Sequence, residues 1–250
     1  VKIAVFGAAG WVGRAILENL RAHQHHVRAV DRSQAAWESL SDIDGHWQGD
    51  ETVHGDIVDY AMVDAALEGM DAVIHAAVLG GGYGADSEAP FLVNLKGLWN
   101  ILDAARQRGI RRVVHVGSCQ VEHPQGVFFD AHVRRPDGGL YAVTKRLQEE
   151  MCRQFHDAFG LSVVVLRPCS IVDSRAGVGK NRKPLAGAWN TGWVCRHDLA
   201  VACRLAAQVE GIEFEVLHTA GTKQADAFCN VARTRQVLGM EFRGDLDQYR

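Results

Sequence analysis

The sequence predicts an α/β fold in which a doubly wound parallel sheet carries helices on both faces and ends in a short C-terminal region. Three observations carry this expectation. Short Val/Ile-rich runs alternate with segments whose apolar residues recur at helical spacing, the pattern of a parallel sheet buried on both sides. A glycine-rich stretch, "GAAGWVG" (7–13), joins the first run to the first periodic segment. The chain has 250 residues, 47% of them hydrophobic and 23% charged, which suits one large domain with a substantial core.

The elements follow in order. "KIAVFG" (2–7) reads as a buried strand. "WVGRAILENLRAH" (11–23) places Val12, Ile16, Leu17 and Leu20 on one helical face. "HVRAVD" (26–31) is the second strand, and "HGDIVD" (54–59) closes the third at Asp56, with Asp59 placed to cap the helix after it. "MVDAALEGM" (62–70) reads as a helix, "DAVIHAAV" (71–78) as a strand, and "FLVNLKGLWNILDAARQRG" (91–109) as a long amphipathic helix. "RRVVHVGS" (111–118) is a strand, 140–159 a helix, and "LSVVVLRP" (161–168) a strand stopped by proline. Residues 169–194 show little periodicity and read as a long loop, either functional or disordered. A helix over 195–208, a strand over 213–221 and a last helix over 225–239 complete the chain. Residues 1–168 are thus expected to form a dinucleotide-binding unit, with 169–250 a small substrate-binding region integrated into the same domain.

The formal charge of −3 lacks the basic excess of a nucleic-acid binder, and no apolar run is long enough to span a bilayer. The opening residues show no signal-peptide pattern, and six scattered cysteines without a CxxC pair fit reduced thiols; a cytoplasmic location is expected. "HQHH" (23–26) reads as a polar turn rather than a metal site.

Gly7, Gly10 and Gly13 follow the first strand and open the first helix. In that context they give a tight turn, close approach of backbone to a pyrophosphate and close helix–strand packing, with helix N–H groups facing the anion. Trp11 and Val12 fall within this turn. Asp31 at the end of the second strand accepts from ribose hydroxyls and repels a 2′-phosphate, which favours NAD; Arg32 beside it keeps NADP as the lesser alternative. Asp56 and Ile57 are placed at the adenine end, and Ala76 and Ala77 let a cofactor pass close to backbone. His75 reads as a core histidine.

Tyr141 and Lys145 stand four residues apart on one helix face, while Leu140, Val143, Leu147, Met151 and Phe155 form the stripe expected to face the core. An ammonium about 4 Å from a phenol favours the phenolate by up to about 4 kcal/mol, of the order of three pKa units. Tyrosine then becomes a general base near neutral pH. Ser118, at a strand end lining the crevice, is the natural third member.

Taken in order, GxxGxxG at 7–13, Asp31, "GDIVD", "HAA", "NLKGLWNIL" (94–102), Ser118, YxxxK at 141–145 and "LRP" (166–168) make the chain resemble the extended short-chain dehydrogenase/reductase family, the NAD-dependent epimerase/dehydratase group. The resemblance implies a Rossmann-type fold and NAD. It also implies Tyr141 as acid/base, Lys145 on the nicotinamide ribose, and Ser118 orienting the substrate. Pro168 of "LRP" and Asn94 of "NLKG" are then cofactor-side residues, although Asn94 also reads as a helix-packing residue. "RRPDGGLYAVTK" and the reduced length look like the uronate dehydrogenases, which oxidise a free uronic acid with NAD. Arg182 in the basic loop 175–183 is then the expected carboxylate clamp. Trp11 and Cys119-Gln120 depart from that pattern, and Gln120 is expected at the substrate. Trp189 and Trp193 read either as a wall for a sugar ring or as packing, and Cys119 and Cys169 as small packing residues. The leading expectation is an NAD-dependent oxidoreductase acting on a sugar-like hydroxyl, with a uronic acid as the candidate substrate. A sugar or nucleotide-sugar epimerase is the first alternative and a non-catalytic NAD(P)-sensing protein the second. Relatives dimerise through two long helices, which implies a homodimer through 91–107 and 140–159.

Overall fold

The computed structural model describes residues 1–49, 51–80, 87–119, 138–227 and 229–250. Strand β1 (Lys2–Phe6) runs through the glycine turn into helix α1 (Trp11–Ala22) and back along β2 (His26–Asp31). Two short helices, α2 (Gln34–Glu38) and α3 (Ser41–Asp44), precede β3 (Glu51–His54). Helix α4 (Tyr60–Leu67) is capped by Asp59, whose side chain accepts from the N–H groups of Ala61 and Met62. After β4 (Ala72–His75), α5 (Ala89–Phe91) passes through a π turn (Leu92–Lys96) into α6 (Gly97–Gln107). Strand β5 (Arg112–Val116), helix α7 (Leu140–Phe159) and β6 (Val163–Pro168) follow.

Residues 169–194 are not a featureless loop. They hold β7 (Ser170–Asp173), β8 (Val178–Gly179) and β9 (Trp193–Cys195), a small mixed sheet in the order β8-β7-β9. These strands run two to four residues, too short for a period of two to show in sequence. Helix α8 (Arg196–Gln208) and strand β10 (Phe214–Thr219) then return to the main body. The last helix, α9, is shorter than its pattern suggested (Val231–Leu238), because Asn230 caps it by accepting from the Arg233 N–H.

Seven strands form one sheet in the order β10-β6-β5-β4-β1-β2-β3, every pairing parallel. The order reverses between β1 and β4, where the crevice at the strands' C-terminal ends must open. On one face Ile16, Leu17 and Leu20 of α1 and Leu199, Cys203 and Ala206 of α8 pack on Ile3, Val5, Ile74 and Val114. On the other, α4, α6 and α7 cover Ala4, Phe6, Val73, Val113 and Val163. Buried Arg112 of β5 donates to the carbonyls of Ala206, Val209 and Ile212, satisfying the C-terminal end of α8.

Helix α7 corrects the expected core stripe. Its buried residues are Ala142, Thr144, Lys145, Gln148, Cys152 and Phe155, whereas Leu147 is 41% exposed. The polar members are accommodated because each finds a partner: Lys145 Nζ donates to the Val116 carbonyl and Gln148 Nε2 to the Asn94 carbonyl.

Candidate active site

A cleft of about 560 Å³ opens at the reversal point of the sheet. Its floor is the glycine turn. Gly7 has φ +78°, and a Cβ there would lie 2.5 Å from the Ala77 nitrogen; one on Gly13 would lie 2.1 Å from the Gly7 carbonyl oxygen. Both positions therefore require glycine, one for the turn against β4 and one for the packing of α1. Gly10 stands at the N-cap of α1 with no side-chain cap, so first-turn N–H groups remain available to an anion. Asp31 is held at the rim: one carboxylate oxygen accepts from the Ala9 N–H at 2.8 Å, the other from the Arg32 N–H at 2.7 Å. Its outer lone pairs suit two hydroxyl donors. A cradle closed to Cβ atoms, an uncapped helix N-terminus and a strand-end carboxylate together fit a dinucleotide.

Gly7, Gly10, Trp11, Val12, Gly13, Asp31, Arg32, Asp56, Ile57, Ala76, Ala77, Ser118, Tyr141, Lys145 and Pro168 all line this one cleft. Asp56 lies two residues beyond β3 rather than on it and accepts from the Val58 N–H. Trp11 is buried, with the Arg196 guanidinium 4.3 Å from its ring centroid.

At the far end Ser118 is buried and its side chain hydrogen-bonds Tyr141. Burial pushes the Tyr141 phenol above its ordinary value, the Ser118 bond pulls it down, and neighbouring Cys119 adds to the rise. Lys145 is fully buried, its Nζ lies 2.7 Å from the Val116 carbonyl, and desolvation brings it down to about 7. Burial thus disfavours the charged form of both groups.

Two expected contacts among the described residues are not found in the cleft. Asn94 is fully buried away from it, accepting from the Leu79 N–H and donating to the Leu79 carbonyl and Thr144 Oγ1. Thr144 in turn donates to the Tyr141 carbonyl, so Asn94 fixes the first turn of α7 rather than touching a cofactor. Arg182 is not a clamp facing the substrate end: it donates to Asp42 Oδ2 at 2.6 Å and to the Ser39 carbonyl at 2.6 Å, tying the loop to α2 and α3. Gln120 lies outside the described residues. Trp189 and Trp193 meet edge to face and pack with Val172, Leu185 and Leu246, the packing alternative. His75 is a core histidine, fully buried.

Sequence reasoning did not anticipate Ser39, Ser170, Ile171 and Asn181 in the lining, and it preferred packing for Cys169 and chose Arg182 over Lys180. Most come from the aperiodic stretch after Pro168, where no pattern marks which residues turn inward. No helix among the described residues is long and apolar enough to cross a membrane.

The family model for the "NAD dependent epimerase/dehydratase family" matches residues 3–187. A uronate dehydrogenase of Pseudomonas syringae pv. tomato is 31% identical over 173 residues, 66% of this chain and 58% of that protein. The match thus spans less than two thirds of the relative's length. The crystal structure of uronate dehydrogenase from Agrobacterium tumefaciens superposes with a TM-score of 0.78 at 24% identity, covering 99% of this chain and 86% of that one. UDP-glucuronic acid 4-epimerase from Bacillus cereus, in complex with NAD, gives 0.79 at 15% identity, covering 100% and 96%. These two similarities establish the shared fold. With the glycine cradle and strand-end carboxylate already in place, the match over 3–187 leads to one conclusion: the chain belongs to the NAD-dependent epimerase/dehydratase family of enzymes, with NAD as its cofactor.

Proposed function

We propose that the protein oxidises a hydroxyl carbon of a sugar-like substrate, with a free uronate the leading candidate. The observation that supports this most is the Ser118–Tyr141 hydrogen bond at the end of the dinucleotide cleft. NAD, when bound, supplies the hydride acceptor. Tyr141 takes the proton of the reacting hydroxyl, and Ser118 donates to the same oxygen and fixes its position. Lys145 holds the nicotinamide ribose. At about 7 it is poised to be charged, and a phenolate beside it favours the ammonium. Glycines 7, 10 and 13 and Asp31 hold the cofactor, with Trp11, Val12, Arg32, Asp56, Ile57, Ala76, Ala77 and Pro168 walling it. Lys180, at the rim of the cleft, takes the carboxylate role first expected of Arg182.

A second reading, an epimerase that retains its cofactor, is favoured by one observation. Lys180 and Asn181 line the cleft while the adjacent Arg182 is fastened across to Asp42 and Ser39, strapping the loop over the cofactor space. A screen for NADH formation over free uronic acids, neutral sugars and nucleotide sugars, with Tyr141→Phe as control, decides between them. NADH from a uronate, lost by at least about 100-fold in the variant, supports the dehydrogenase. Interconversion of sugar epimers without NADH supports the epimerase, and full turnover by Tyr141→Phe removes the mechanism. A homodimer is proposed through residues 91–107 and α7, where Phe91, Leu92, Trp99, Leu147 and Phe159 are exposed. Sedimentation velocity reads it directly, and a monomer overturns it.

A further inference from the structure

Cys119 and Cys169 are 50 positions apart in sequence, yet each lies three residues beyond the register pair Val116 and Leu166 of β5 and β6, which brings the two thiols side by side. Neither belongs to a disulfide. The pair sits at the reacting end of the cleft. Cys119 is buried next to Ser118, while half-buried Cys169 lines the cleft directly after Pro168. Cys169 Sγ is also held in place from behind, since a Cβ on Gly192 would come within 2.3 Å of it. The Cys119 hydrogen bond and the Ser170 N–H hold the Cys169 thiol below its ordinary value against the effect of burial. A third thiol, Cys229, is close enough to feel Cys169, but burial pushes it up to about 12 and it stays protonated.

We propose that Cys119 and Cys169 form an oxidisable dithiol site that closes to a disulfide under hydrogen peroxide and switches off the substrate end of the cleft. The Cys169 thiolate attacks one peroxide oxygen; the O–O bond breaks, hydroxide leaves and is protonated to water, and Cys169 becomes a sulfenic acid. Cys119 sulfur then attacks Cys169 Sγ. The S–S bond forms, the S–O bond breaks, and the departing hydroxide takes the Cys119 proton to give a second water. Two thiols lose two electrons and two protons, and one peroxide becomes two waters. A disulfide of about 2.05 Å is far shorter than a thiol–thiol hydrogen bond. Its closure draws the residue after Ser118 towards the start of β7 and disturbs the Ser118–Tyr141 bond.

The test is peroxide titration of the reduced full chain, read by thiol counting and peptide mass mapping, neither of which depends on turnover. The expected result is loss of two of the six thiols, a chain lighter by two hydrogens, and a dithiothreitol-sensitive peptide joining positions 119 and 169. Cys169→Ser and Cys119→Ser each abolish the link, and Cys229→Ser leaves it in place. On the best substrate of the NADH screen, oxidised wild type loses at least about 10-fold of its own reduced activity and recovers it with dithiothreitol. A link to Cys229, or sulfinic acid at Cys169 without a link, overturns the assignment. A confirmed link that leaves turnover unchanged overturns the switch while leaving the proposed reaction untouched.

Discussion

His75 and His115, register partners on β4 and β5, face each other with their Nδ1 atoms 2.9 Å apart and both rings fully buried. One nitrogen donates and the other accepts, so at least one ring must be neutral. Burial, reinforced by the positive charge of Lys145, brings His75 down to about 3 and His115 well below its ordinary value. In the unfolded chain both take up protons near pH 6.5. As pH falls below 6.5 the unfolded state therefore gains protons that the folded state refuses, and stability drops. Chemical denaturation at pH 7 and pH 5 should show a loss of about 2–4 kcal/mol. His115→Gln should flatten that slope. An unchanged slope in the variant would locate the acid sensitivity elsewhere.

Lys145 is expected to be a liability for folding. Desolvation brings Lys145 from 10.5 down to about 7, so between those values the unfolded chain binds the extra proton and wild-type stability rises with pH. Lys145→Met removes the buried charge but leaves the Val116 carbonyl without its donor, a cost of about 1–3 kcal/mol. The net expectation at pH 7 is a gain of about 1–3 kcal/mol, a melting point a few degrees higher, and a loss of turnover. The gain should shrink towards pH 10. Melting curves showing the variant less stable at pH 7 would refute this account of the buried ammonium.

Arg182→Ala separates a strap from a clamp. The Arg182–Asp42 pair is largely exposed, so its loss should weaken NAD binding by less than about 5-fold, with the substrate KM changed by less than about 2-fold. A bidentate carboxylate clamp would give a rise in KM of about 10-fold or more. Titration of NAD by calorimetry together with steady-state kinetics reads both quantities.

The strands and long helices were legible because their signals are local. β2 and α7 lie where their apolar periods placed them, and the three glycines carry their reason in the turn they make. Asp31, Ser118, Tyr141 and Lys145 were legible as types at expected element ends. The orientation of α7 was not. Hydropathy assigns Leu147 to the core and Gln148 to solvent, but Gln148 and Lys145 are drawn inward by the Asn94 and Val116 carbonyls, partners on other elements. Arg182 failed for the same reason: a loop cation states its charge, whereas Asp42, 140 positions earlier, decides where it goes. The meeting of Cys119 with Cys169 was equally invisible, since it depends on the pairing of β5 with β6.

The small mixed sheet has an implication for how this scaffold diversifies. Its stretch leaves the large sheet at Pro168 and rejoins the body at Arg196, whose guanidinium grips Asp173 of β7 and Asp44 of α3 from a buried position. Between those two points the stretch forms the small sheet and its loops, while Ile171 and Val194 pack into the core beneath α8. Loop exchange between relatives would therefore rebuild the wall of the cleft where Ser170, Lys180 and Asn181 stand, and a graft has to keep an acidic residue where Asp173 meets Arg196. Arg196 is the buried charged tie between that wall and the body of the fold.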